Sequence, residues 1–502
     1  MSVKRNIAAN YVGSVVASLL SLLLVPIYIR YLGLEAYALV ALFAVIQAWM
    51  GLLDLGMAPS LGREMARFTA GAMPIQAIRD LLRSLEFLYF GIAATVAVVL
   101  TLFAGGIARH WLNAENLPVE TVAGALSMLG IVVAMRFCEG LYRSGIMGLQ
   151  QQVWLNGAGV ALNLLRSLGA LAVIVLVAPT VQAFFIWQGL VSLLSLIVLG
   201  TKLRALLPQP PRPPRFSKAA LIAVYRFAGG VFGTALLALL MGQGDKILLS
   251  RLLTLPEFGT YMLASTISGG LWLVGGPVVL AVSPALVRRF EAGDDAGVSA
   301  AYHQASQLVA VVAGPAAMLM ALFPYGLLFA WSGDAALAGR AAPILGLLAI
   351  GTLMNALYQV PHYLQMASGW TGMTLRLMLA AVTIMIPALL WLVPQYGAIA
   401  AAAIWATVNV LFVLVGVPLQ HRRLLRGEAA RWYLVDVLRP LLGAGLVMAG
   451  AWALQPAVTT GRLGWLGFCM AAGLAALVAS ALLADVVRRR VWAFMTARLA
   501  AG

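Results

Sequence analysis

Stretches of roughly 20 consecutive apolar residues recur along the whole chain, and no other feature limits the fold as tightly. Such a stretch spans a bilayer core of about 30 Å, where every backbone N–H and C=O must be bonded within the chain itself. Segments this long satisfy that demand as helices. By length and hydropathy about 14 can be drawn, near 8–29, 36–56, 85–104, 121–141, 154–177, 182–202, 222–242, 259–282, 304–324, 342–361, 372–392, 397–418, 438–454 and 464–484. Composition agrees: 62% of the 502 residues are hydrophobic and 10% charged, against nearly half and a quarter in soluble domains. The expected fold is an all-α polytopic membrane protein with no soluble catalytic domain. Cys138 and Cys469 both fall in expected spans, so neither a disulfide framework nor a cysteine metal site is implied.

The formal charge of +16 is informative through its placement. With the N-terminus inside, 26 of the 33 Lys and Arg fall on inner segments and six on outer ones (Arg30, Arg109, Lys246, Arg251, Arg340, Arg462), with Arg166 in mid-span. That asymmetry puts both termini in the cytoplasm. It accounts for the basicity without a nucleic-acid partner. The first apolar run is too long for a cleaved signal and is expected to stay as the first span.

Taken in order, the first hairpin carries Asn6, Asn10, Gly13, Ala17 and Ser21 on one helical face, a small and polar stripe suited to a partner helix or water. After Pro74, the apolar Ile75, Ile78, Leu82 and Leu85 oppose Gln76, Arg79, Asp80 and Arg83, which predicts a helix resting on headgroups. The third and fourth spans join outside through 108–121. The fourth ends in Arg136, Glu139 and Arg143 on one face: an inner cavity mouth, or a self-compensated rim. In the fifth, Asn156, Gly159, Asn163 and Arg166 form one stripe, with Arg166 near the bilayer midplane. A charge there is costly against lipid, so it faces a cavity or a partner acid. A second polar stripe, Gly351, Asn355, Gln359 and His362, lies in the tenth span. Pro277, Pro315 and Pro387 mark kinks.

The Pro- and Arg-rich stretch 206–219 reads as a cytoplasmic linker between two halves. Arg226, Gly230, Gly233, Leu237 and Met241 keep one offset of 220 from the stripe of the first span, and Pro284-Ala285-Leu286 echoes Pro59-Ser60-Leu61. The expected organisation is a six-helix bundle (1–205), the linker, a second six-helix bundle (220–420) related by a parallel repeat, and an appended helix pair with a basic tail (421–502). There is no P-loop, no Gly-x-Ser-x-Gly and no HExxH, and His110, His303, His362 and His421 are scattered. Nucleotide hydrolysis and a resident metal are not expected. Short outer loops disfavour an enzyme that polymerises or ligates lipid-linked glycans.

The run Val25-Pro26-Ile27-Tyr28-Ile29-Arg30-Tyr31-Leu32-Gly33, then Leu52-Leu53-Asp54-Leu55-Gly56, resembles the opening of the Wzx-type polysaccharide exporters of the MOP superfamily. Gln243-Gly244-Asp245-Lys246-Ile247-Leu248-Leu249 and Phe258-Gly259-Thr260-Tyr261 resemble the same family's second half. Two positions depart: Ala38 follows Tyr37 where the family usually has Gly, and Thr254 stands where the first half has Gly33. The resemblance implies a flippase of the bacterial inner membrane that carries a polyprenyl-pyrophosphate oligosaccharide, as in O-antigen and lipopolysaccharide synthesis. A polysaccharide polymerase and chain-length machinery are the implied partners, beside membrane lipids, and no cofactor is expected. On that reading Arg166 is the first phosphate contact, beside Asn156 and Asn163; Arg136 and Arg226 receive the headgroup inside, and Arg30 or Lys246 releases it outside. Asp54, Glu139 and Asp245 are the acids placed to bind a coupling H+ or Na+. The rival reading is a MATE-like exporter of small molecules.

Overall fold

A bilayer excludes water from the backbone, so the apolar stretches close their hydrogen bonds as helices, and a computed structural model describes residues 20, 22–457 and 459–488 of the chain, with the backbone alone at 220, 223–232 and 234. Twelve helices among the described residues are long and apolar enough to cross a membrane, and each coincides with one of the expected spans. The seventh expected span lies within a 35-residue helix, Lys218–Leu252. The first falls largely outside the described residues, as does its whole polar stripe. The chain divides into two compact units, Met1–Gly259 and Thr260–Gly502.

In the first unit, α1 (Leu22–Leu32) turns into α2 (Leu34–Leu53) at Gly33, whose φ of +83° suits a residue without Cβ. The second turn is the Asp-Leu-Gly of the family-like motif. Leu55 and Gly56 take φ of 48° and 78°, and Asp54 Oδ1 accepts from Ala58 N at 3.0 Å, capping α3 (Met57–Thr69). α4 (Ile75–His110) joins the expected surface helix and the third span in one rod of 36 residues. α5 (Val119–Gly148), α6 (Gln152–Leu176), α7 (Val181–Leu206) and α8 (Lys218–Leu252) follow. α5 is the packing axis, flanked by α4 and α7. At Gly148 an added Cβ would lie 2.2 Å from the Gly62 carbonyl oxygen, so α3 and α5 meet backbone to backbone.

The polar face after Pro74, expected to rest on headgroups, also has a partner within the chain. The linker covers it. Arg79 Nη2 donates to the carbonyls of Leu207 (2.6 Å) and Pro208 (2.9 Å), while Gln76, Asp80 and Ser84 accept from the N–H groups of Arg212, Arg215 and Ser217. A proline-rich segment forms no ladder of its own, so its backbone groups take side-chain partners. At the other end of α4, Glu35 accepts from the N–H groups of Glu115 (3.0 Å), Asn116 (2.8 Å) and Leu117 (2.7 Å), which ties the 111–118 loop to α2.

The second unit begins within α9 (Leu255–Gly269) and continues through α10 (Leu271–Glu291), α11 (Asp295–Leu322), α12 (Pro324–Ser332), α13 (Ala335–Ala367) and α14 (Thr371–Tyr396). α15 (Ala398–Leu411) passes through a π-turn, Phe412–Gly416, into α16 (Val417–Leu424). After α17 (Ala429–Arg431), a second π-turn, Trp432–Leu438, leads into α18 (Arg439–Ala453), and α19 (Arg462–Leu483) follows. α11 and α13 are the buried axes, and Pro277, Pro315 and Pro387 sit inside continuous helices. The polar stripe of α13 is used for helix pairing: Asn355 Nδ2 donates to Asn409 Oδ1 at 2.7 Å. The last two helices pack through Ala444, Met448, Ala472 and Ala476.

Each unit repeats one local device. Lys202 Nζ sits over the Trp154 ring at 5.0 Å, and the Arg423 guanidinium over the Trp370 ring at 4.5 Å. In both, the cation ends one span and the Trp begins the span before it.

Candidate substrate site

The polar residues of α5 and α6 converge. Arg136, Glu139 and Arg143 recur at helical spacing on α5, and Asn156, Gly159, Asn163 and Arg166 on α6. Arg166 Nη2 contacts Glu139 Oε1 at 2.5 Å and donates to Ser195 Oγ of α7 at 2.9 Å. The Glu139 side chain is buried, 7% exposed, and that of Arg166 is mostly covered, 14% exposed. The mid-span charge therefore has a partner acid. That acid is bonded to Arg166, 27 residues on, and not to its helical neighbour Arg143. Gly159 leaves room beside Arg143: an added Cβ would lie 3.7 Å from its Nη1.

Arg136 is held differently. Nη1 donates to Gln47 Oε1 of α2 at 2.7 Å and Nη2 to Gln188 Oε1 of α7 at 2.8 Å, while the guanidinium lies 4.7 Å from the Phe43 ring centroid. Its bonded partners are neutral, so it keeps its unit charge, whereas Arg166 is neutralised by Glu139. Five polar atoms on α5, α6 and α7 are buried without a hydrogen-bond partner: the donors Arg136 Nε, Arg166 Nε, Asn156 Nδ2 and Ser192 Oγ, and the acceptor Gln152 Oε1. Unmet donors of this kind call for an acceptor. The guanidiniums of Arg136, Arg143 and Arg166 outnumber the carboxylate of Glu139, and the site is cationic.

The remaining sequence candidates stand apart. Arg30 is exposed at the end of α1. Lys246 Nζ lies 3.5 Å from Asp245 Oδ1 and donates to the Gly242 carbonyl at 2.8 Å, so this lysine and this acid form their own pair on α8. Asp54 caps α3 and accepts from the Tyr89 hydroxyl, while Arg63 and Arg67 pair with Glu64. Tyr89 stacks on Phe137 at 4.6 Å, the residue beside Arg136. Arg226 lies outside the described side chains. Sequence reasoning missed Gln47, Gln188, Ser195 and Phe43. The signal for the first three was weak: single uncharged polar residues inside otherwise apolar spans. Among the described residues no group of three or more His, Cys, Asp or Glu is arranged to hold a metal ion.

The fold is that of MOP-superfamily transporters. It is similar to a lipid II flippase, MurJ, in an inward closed conformation, with a TM-score of 0.72 and 13% identity over 95% of this chain and 98% of that one. An inward-facing MATE multidrug transporter matches with a TM-score of 0.57 and 15% identity, over 81% of this chain and 94% of that one. A MATE protein in complex with MaL6 matches at 0.55 and 12% identity, over 84% and 96%. No curated protein matches the sequence. A family model described as polysaccharide biosynthesis protein matches residues 3–290. The chain thus belongs to the polysaccharide biosynthesis protein family, which includes the Wzx-type exporters of the MOP superfamily.

Proposed function

We propose that the protein is a flippase that moves a polyprenyl-pyrophosphate oligosaccharide from the cytoplasmic to the outer leaflet of the bacterial inner membrane by alternating access. The observation that carries this reading is Arg136: a buried guanidinium bonded only to neutral amides, with an unmet Nε, in a cationic cluster. A pyrophosphate is the kind of group such a fork binds. The order of contacts suggested by the sequence changes accordingly. Arg136 is the first phosphate ligand, and Arg166 engages by leaving Glu139. Glu139, so released, is the acid that takes up H+ or Na+; Asp54 and Asp245 are second candidates, and no cofactor takes part. Arg226 receives the headgroup inside, Arg30 and Lys246 release it outside, and both termini and the 206–219 linker are cytoplasmic. The substrate supplies a cell-surface glycan such as O-antigen, with a polymerase and chain-length machinery acting downstream.

Deleting the gene should leave the lipid-linked unit on the cytoplasmic leaflet. The wild-type chain should clear it, Arg136→Lys partly, and Arg136→Ala not at all at equal protein level. Full clearance by Arg136→Ala would overturn the role of this arginine, and a lost glycan-elongation activity with normal translocation would point to an enzyme. The MATE matches favour a second reading, export of small molecules. Cationic drugs call for an acidic cavity, however, and the cluster has the opposite sign. Dye efflux that depends on this protein, with normal translocation of the glycan lipid, would favour it.

A further inference from the structure

His303 of α11 is 2% exposed, and both ring nitrogens face carboxylates: Nδ1 contacts Asp436 Oδ2 in the second π-turn, and Nε2 contacts Glu428 Oε2 just before α17. The carboxylates are positioned in turn. Gln307 Nε2 donates to Asp436 Oδ1 at 2.8 Å, and Ser299 Oγ to Glu428 Oε2 at 2.7 Å. Trp432, fully buried in the same π-turn, donates from Nε1 to Ser306 Oγ at 3.0 Å. A cavity of about 310 Å³ reaches the cluster, lined by His303, Gln304, Gln307, Arg431 and Asp485. π-turns of this kind are often found where a helix serves a function.

Proton stoichiometry makes the arrangement conditional. Two N···O contacts need two protons, and a neutral imidazole carries one. Without the second, a nitrogen lone pair faces a carboxylate oxygen inside the protein, which is costly. The other charged and titratable groups around the cluster have their own positions. Arg431 Nη1 is 3.8 Å from Glu428, Arg439 and Arg488 hold Asp485, and Arg289 of α10 donates to the Gly297 carbonyl. His421 of α16 is separated from His303 by the Tyr302 ring, which stands edge-on to both imidazoles. Tyr358 of α13 and Tyr433 also lie near Tyr302. Among these groups Arg431 alone reaches an oxygen that faces the imidazole, Glu428 Oε2, and at 3.8 Å it stands beyond hydrogen-bond distance.

We propose that His303, Asp436 and Glu428 form a proton-binding site, filled through the adjoining cavity, that latches residues 428–438 onto α11 and so controls the docking of the appended helix pair. With the second proton bound, one imidazolium bridges two carboxylates and the π-turn is held. When it leaves, one bridge becomes repulsive and the segment loosens. The site is independent of the transported substrate.

The test is hydrogen–deuterium exchange of the full-length protein from about pH 5 to about pH 9. Exchange of peptides covering 428–438 is corrected for the intrinsic rate against α4 of the same molecule. Protection should fall about tenfold or more as the pH rises, the worth of one hydrogen bond to a charged group. In His303→Gln it should be low at both ends with no step. A wild-type protein without the step, or a step that persists in His303→Gln, overturns the proposal. If His303→Gln does not fold, Glu428→Gln at the rim replaces it: removing one carboxylate should move the step to lower pH, and an unmoved step overturns the proposal equally.

Discussion

Removing both members of the Arg166–Glu139 pair should cost clearly less than the sum of removing each alone. The pair is buried at the Glu139 end and mostly covered at the Arg166 end, and the contact is 2.5 Å. Two unit charges near 4 Å interact by about 4 kcal/mol at an effective dielectric of about 20. Stripping one partner from a buried pair costs roughly 3–5 kcal/mol, because the other stays uncompensated. Arg166→Ala is therefore expected to lose about 4 kcal/mol, including the hydrogen bond to Ser195. Glu139→Ala should lose as much, since it leaves Arg166 near Arg136 and Arg143 with no acid between them. In the double variant the stranded charge is gone from one side, and the loss should shrink by about 3 kcal/mol relative to the sum of the two singles. Unfolding of the purified protein in mixed micelles, followed as the folded fraction against denaturing detergent, measures all four corners of the cycle. A coupling below about 0.5 kcal/mol would show that the two side chains act independently and would refute the buried-pair account.

The Glu428 carboxyl is opposed by burial but held below the usual carboxylate range by its hydrogen bonds to Ser299 and His303 and by the nearby Arg431. Its stabilisation is thus present above the ordinary carboxylate pKa and lost as pH falls through the depressed one, so the thermal midpoint should drop on the acid side, and Glu428→Gln should flatten that limb. Gly148→Ala pushes a methyl to within 2.2 Å of the Gly62 carbonyl, and α3 and α5 must part; a loss of about 2–3 kcal/mol in the same micelle assay is expected, and an unchanged stability would contradict the close approach. Reporter fusions at Pro210 and after Gly502 should report the cytoplasm and one at Asn113 the outside; the reverse at Pro210 would break the proposed topology.

The spans were legible in the sequence because hydropathy is a local property and a helix closes its backbone bonds within itself. So was the oddity of Arg166, since a charge amid about 20 apolar residues is visible without any partner. The Asp-Leu-Gly motif was visible too, though only the structure shows it as a helix break with a capping carboxylate. Tertiary structure alone decided which residue answers Arg166. Glu139 lies on another helix, and pairing depends on how two helices are rotated about their axes, which close packing of small residues sets. The same cause gave Arg136 two neutral amides from α2 and α7, the contacts on which its proposed role rests. It laid the linker along the polar face of α4, a contact the local pattern does not show. It also placed His303 between acids 133 and 125 residues away, a site whose members look unrelated along the chain because only the packed helices bring them together.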